Sequence, residues 1–106
     1  MKYVFEWNEN KRLKNIEKHG IDFADAVKIF DGFIHTYMSN WAEYDEERYV
    51  SIGLLEGVEI AVIYTHREGS ICIISARRAR KNERGMYHEE AEGNGNRLRE
   101  AEGNER

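Results

Sequence analysis

Ile73-Ile74-Ser75-Ala76-Arg77-Arg78-Ala79-Arg80-Lys81-Asn82-Glu83-Arg84, followed by Tyr87, reads as a strand that turns into a helix. The β-branched opening suits a strand, Ser75 is a good N-cap residue, and the alanine and polar pattern after it suits a helix. On that reading Arg77 and Arg78 fall in the first helical turn, where each opposes the macrodipole by about 0.3 to 1 kcal/mol. A chain folding only for stability would place Asp or Glu there. Guanidinium groups beside free backbone N–H groups make a site for an anion, and phosphate is the first candidate. Arg77, Arg80, Lys81 and Arg84 form one stripe of the expected helix, with Arg78 on the adjacent one. The competing reading is a solvated helix face that pairs with the acidic segment at 43–47.

Upstream of this stretch the pattern has a period of two. Strands are expected at about residues 33–38, 47–55, 58–66 and 70–75, with Glu56-Gly57 and Glu68-Gly69 as two-residue hairpin turns. Residues 2–7 alternate and read as a first strand, and Asn8 caps a helix over about 9–19 that Gly20 ends. Leu13, Ile16 and the stem of Arg12 mark its apolar stripe; Lys11, Lys14 and Lys18 mark another. Asp22 starts a second helix through Phe23, Ala26, Val27 and Phe30, which Asp31-Gly32 stops. The order β-α-α-β-β-β-β-α predicts an α+β fold around a mostly antiparallel sheet. Counting pairs back from the turns puts Val50, Ile52, Ala61, Ile63 and Ile74 on one face and Tyr49, Val62, Tyr64, Ile71 and Ile73 on the other. Both faces are apolar. The first two helices are expected over one, and the last helix or a partner over part of the other.

The chain of 106 residues is one domain, expected over 1–90, with a polar tail at 91–106 whose composition suits disorder or a frayed helix. The loop from Ser39 to Glu46 reads as acidic and mobile. No apolar run is long enough to span a membrane, and no secretion signal is read at the N-terminus, so a cytoplasmic protein is expected. The lone Cys72 agrees with a reducing compartment. A net charge of −4 argues against a generic nucleic-acid binder, but the charge is bipolar. Residues 77–84 hold five basic groups against one acid, 11–18 hold four against one, and 43–47 hold four acids and no base. A local basic field of that kind can hold a polyanion. No Cys and His spacing suggests zinc and no glycine-rich loop suggests a nucleotide, so no metal and no cofactor are expected.

Ile-Ile-Ser-Ala-Arg-Arg-Ala at 73–79, Glu83-Arg84 and Tyr87, with Trp7, Lys11, Asn15 and Lys18-His19-Gly20-Ile21-Asp22-Phe23 upstream, resemble the BrnT toxins of bacterial type II toxin-antitoxin systems. The resemblance covers residues 3–90. It implies a RelE-like fold, an endoribonuclease, and a ribbon-helix-helix (BrnA-like) antitoxin through which alone the protein would meet DNA. One position departs from the family pattern: members often carry arginine where Cys72 stands, which the pairing count places on the face of Arg48 and Thr65.

Cleaving RNA through its 2′-hydroxyl needs a group to take that proton, cations for the phosphate charge, and a proton for the leaving 5′-oxygen. Arg77, Arg80 and Arg84 are the expected phosphate holders, with Arg78, Lys81 and Arg48 as further RNA contacts. For the protons the candidates are His66, Glu83 and Tyr87. Each has a plainer reading: His66 as an exposed strand-end residue, Glu83 as a surface partner of Arg80 or Arg84, Tyr87 as core. His19 suits the negative end of its helix. Lys11, Lys14 and Lys18 extend an RNA track or form a solvated stripe. A non-catalytic module that binds an acidic partner and joins in repression is the alternative function.

Overall fold

The computed structural model describes residues 3–39 and 46–101, with side chains through residue 93. Its elements are β1 (Phe5–Trp7), α1 (Glu9–His19), α2 (Phe23–Ala26), a 3-10 helix (Val27–Asp31), β2 (His35–Ser39), β3 (Arg48–Leu55), β4 (Val58–Arg67), β5 (Ser70–Arg78) and α3 (Lys81–Ala101). The strands form one sheet in the order β1-β5-β4-β3-β2, antiparallel except for the β1–β5 pair. This is the expected α+β fold in the expected order. The acidic loop expected at 39–46 falls mostly on residues outside the described ones, and α3 continues through the boundary expected at residue 90.

Local chemistry sets the element ends. The Asn8 side chain accepts from the Lys11 N–H at 3.1 Å, and Gly20 closes α1 at φ 74°. Asp22 caps α2 through the Ala24 N–H at 2.9 Å. The second helix then tightens into 3-10 geometry over Val27–Asp31 instead of continuing as an α-helix. Glu56 and Gly57, at φ 52° and 83°, form a two-residue turn with both central residues left-handed, and Glu68 and Gly69 repeat it at 48° and 86°. Those turns fix the register, with Leu55 opposite Val58 and Arg67 opposite Ser70.

Each sheet face has its own core. Under α1, α2 and the 3-10 helix lie Phe23, Ile29, Ile60, Val62, Tyr64 and Ile73. On the other face Val50, Ile52 and Ala61 pack with Ala79 and with Tyr87 of α3. The alternation places these sides as the sequence implies. Leu13 does not join them: it is half exposed, and Asn15 is the buried residue of α1.

The quoted stretch folds differently from its local reading. β5 runs on to Arg78, because Ala76, Arg77 and Arg78 pair with Val62, Ala61 and Ile60 of β4. On its other edge β1 ends at Trp7, and the buried Asn15 amide takes over: it donates to Ala76 O at 2.8 Å and to Ile21 O at 2.9 Å, and accepts from Ala76 N at 3.1 Å. A side-chain amide thus replaces the missing strand's peptide groups, satisfying an edge that burial would otherwise penalise. Ser75 donates to Asn15 Oδ1 at 3.3 Å instead of capping a helix. Arg77 and Arg78 therefore do not oppose a helix dipole. The helix starts at Lys81, with Glu83 as its first-turn acid.

Candidate functional site

Arg77, the penultimate residue of β5, faces α3 and meets Glu83 in a two-pronged ion pair: Nη1 to Oε1 at 2.8 Å and Nη2 to Oε2 at 2.9 Å. Glu83 is 1% exposed, so the pair is a buried one. Tyr37, from β2, donates its hydroxyl to Glu83 Oε2 at 2.6 Å, and the Arg80 backbone N–H donates to Oε1 at 2.8 Å. The last contact is half of a capping box, in which a helix's third residue reaches back to the residue before the helix. Burial alone would raise the Glu83 carboxyl pKa. The hydrogen bonds from Arg77, Arg80 and Tyr37 and the Arg77 charge outweigh it and hold the value at about 2, against an ordinary 4.5. The Arg77 pKa is raised by the same hydrogen bonds against its own desolvation, and the Tyr37 pKa is raised by burial and by donation to Glu83.

A carboxylate held in this way is a weak proton acceptor at neutral pH, with both oxygens occupied. What it does is fix Arg77 at the end of β5. Around it Arg78, Arg80 and Lys81 are exposed, and the half-buried Arg84 donates Nη1 to Ala79 O at 2.8 Å. Among the described residues the Arg77–Glu83 pair is the one ion pair in this stretch. One buried anion thus holds one of the five cations that the β5–α3 junction carries within eight residues of chain.

The other expected residues divide into three places. Lys11 and Arg48 come together at a cavity of about 350 Å³, joined there by Arg67 and Cys72. Cys72 is opposite Thr65, as the pairing count implies. Lys14 and Lys18 are exposed on α1. His19, one turn after Asn15, has its pKa lowered by burial and by the charges of Lys18 and Arg77. His66 lies on the opposite sheet face from Arg77: it shares a side with Tyr64, touching the rings of Tyr49 and Tyr64 at centroid distances of 5.2 and 5.7 Å. Tyr87 is 5% exposed within the α3 core, and burial raises its pKa. His66, Glu83 and Tyr87 do not converge on one point.

Tyr37 and Arg67 were missing from the sequence expectations. Tyr37 alternates onto the Val50 side in β2 and faces Glu83 across 46 residues of chain, so only the sheet register could have revealed it. Arg67 ends β4 beside a turn and reads there as an ordinary solvated residue. Among the described residues no cluster of three His, Cys, Asp or Glu side chains is placed to hold a metal ion, and no helix is long and apolar enough to cross a membrane.

Residues 7–83 match the family model described as ribonuclease toxin, BrnT, of type II toxin-antitoxin system. No curated protein matches the chain. The match runs from Trp7 of β1 to Glu83 of α3, and so takes in both the Arg77–Glu83 pair and the cavity at Lys11 and Arg48. With more than half of its length matched, the chain belongs to the BrnT family of ribonuclease toxins, which implies an antitoxin partner.

Proposed function

We propose that the protein is a metal-independent endoribonuclease that cleaves RNA through the 2′-hydroxyl and leaves a 2′,3′-cyclic phosphate and a 5′-hydroxyl. The observation that carries this reading is the β5–α3 junction, where a buried carboxylate holds Arg77 within a run of five basic residues, of which Arg78, Arg80 and Lys81 are exposed. In the reaction O2′ gives up its proton and attacks phosphorus, the bond from phosphorus to O5′ breaks, and O5′ takes up a proton. Charge builds on the phosphoryl oxygens as it proceeds. Preplaced cations favour that state over the ground state, which is the largest single contribution a protein makes to such a step. Arg77, locked by Glu83 and Tyr37, loses no conformational freedom on meeting the phosphate. Arg78, Arg80 and Arg84 hold the neighbouring backbone.

The same surface suits neutralisation. An antitoxin of ribbon-helix-helix type that laid acidic side chains over the junction would exclude RNA and supply the DNA-binding half of a repressor. A cytoplasmic location goes with that role. Arg78→Ala with Arg80→Ala, both exposed positions, is expected to keep the fold by circular dichroism and to abolish growth arrest and RNA cleavage. Undiminished cleavage by the folded variant rejects the site. If the wild-type protein without its partner cleaves no RNA, the alternative, a binding module in autorepression, takes its place.

A further inference from the structure

Among the described residues α3 packs mainly against β3 and β2 and meets β5 near its end, through Arg77, so the side of this sheet face around Glu6 and Cys72 lies beyond it. Alternation along the strands brings Glu6, Cys72, Arg67 and Arg48 onto that side, and Lys11 reaches it from the first turn of α1. Together with Glu46 they line the cavity of about 350 Å³, within the range that takes a small ligand. Arg67 Nη2 is 3.3 Å from Glu46 Oε2 and Arg48 Nη2 is 3.9 Å from the same atom, so one carboxylate holds two guanidinium groups side by side. Three cations against two acids leave the cavity positive, and the carboxylate of Glu6 remains to accept from a base N–H. A β-bulge at Ile74 opposite Ile63 and Tyr64 kinks β5 between this cavity and Arg77, a device common beside active sites.

We propose that this cavity is a second subsite, which takes one splayed nucleotide of a single-stranded RNA with its phosphate on Lys11, Arg48 and Arg67. The proposal rests on the nuclease reading, with the scissile phosphate at Arg77. A pocket fed by side chains from five elements receives an unstacked nucleotide, whereas the regular backbone of a duplex stays outside it. Cys72 and Arg77 are separated along β5 by about 16 Å at roughly 3.3 Å per residue. A stacked strand rising about 3.4 Å per nucleotide covers that span in about five steps, from the first to the last of six phosphates. A hexanucleotide with a 5′-phosphate therefore reaches both subsites and a dinucleotide only one.

The probe is an all-2′-deoxy hexanucleotide with a 5′-phosphate, which lacks the attacking hydroxyl and cannot be cleaved by this route. Its binding is followed by fluorescence anisotropy across a salt series and by backbone amide NMR shifts. Wild-type protein is expected to bind it tighter than the dinucleotide, with shifts at Lys11, Arg48 and Cys72 as well as at Arg77. Lys11→Gln with Arg67→Gln, both exposed, is expected to lower the slope of log affinity against log salt by about 1.4, at about 0.7 per phosphate contact on a single strand. An unchanged slope, or shifts confined to Arg77 and its neighbours, overturns the subsite and leaves the nuclease reading intact. Wild-type protein that binds the strand in the cavity yet cleaves no RNA overturns the nuclease reading and keeps the subsite as a binding site.

Discussion

One face of this sheet packs neutral side chains and the other carries charge inside it. Under α1 and α2 the core is Phe23, Ile29, Ile60, Val62 and Ile73, each at most 2% exposed, with Trp7 edge-on to Phe23 at 6.0 Å. Under α3 the apolar residues Val50, Ile52, Ala61 and Tyr87 lie beside an arginine and a fully buried glutamate. A buried ion pair adds little net stability, because desolvating both charges costs about what their attraction returns. Apolar residues of similar volume would serve the fold as well or better. The difference teaches that the first face is built for stability and the second gives some up to hold a cation still.

Phe23→Ala is the largest expected effect. It empties the centre of the neutral face and is expected to cost about 3 to 5 kcal/mol in urea denaturation. RNA binding per folded molecule should not change. A loss below about 1 kcal/mol would show that α2 does not anchor this core.

Acid acts on the other face. The Glu83 pKa is lower in the folded protein than in the unfolded chain, so its contribution is complete above the ordinary 4.5 and is lost as pH falls toward about 2. The difference corresponds to about 3 kcal/mol at ~1.4 kcal/mol for each pH unit. Glu83→Gln keeps the shape and removes the titration. The stability gap between wild type and this variant should be widest at neutral pH and close between pH 4.5 and 2.5, as read from urea midpoints. A gap that stays constant across that window would mean that Glu83 is not the titrating counter-ion.

Tyr37→Phe comes next. It removes one of the hydrogen bonds to Glu83 and is expected to cost about 1.5 kcal/mol, the lower end for a bond to a charged group. Because Arg77 stays paired, the fold holds. If the network exists to fix Arg77, RNA cleavage should fall more than stability does; equal small losses in both would reduce Tyr37 to a packing residue.

What the sequence reveals of these two faces follows the range of the interactions. Caps at Asn8 and Asp22 and turns at Glu56-Gly57 and Glu68-Gly69 depend on neighbours a few residues away, and each is readable. The alternation of Val50, Ile52 and Ala61 against Val62, Tyr64 and Ile73 follows from those turns. The end of β5 does not. Ser75 and the alanines look like a helix start, and only β4 on one edge and Asn15 on the other, 61 residues away at Ala76, keep the chain extended. Leu13 misleads for the same reason, since the buried position of α1 goes to the amide that β5 needs. Glu83 is readable as a first-turn acid but not as a buried one, because both Arg77 and Tyr37 reach it through tertiary packing.

The smallest expected effect sharpens the comparison within the charged face itself. Cys72 is half-buried on the α3 side of the sheet, opposite Thr65 and in the cavity with Arg48 and Arg67, not in the core under α1 and α2. An arginine there has an open cavity to enter, so Cys72→Arg should leave the urea midpoint nearly unchanged, within the ±0.5 kcal/mol usual for surface positions. It adds a cation where the proposed subsite meets the RNA backbone, and should raise the cleavage rate of purified protein at low RNA concentration while steepening its salt dependence by about 0.7. An equal or lower rate with the fold intact would show that the cavity does not touch the substrate, and that the cations of the β5–α3 junction act alone.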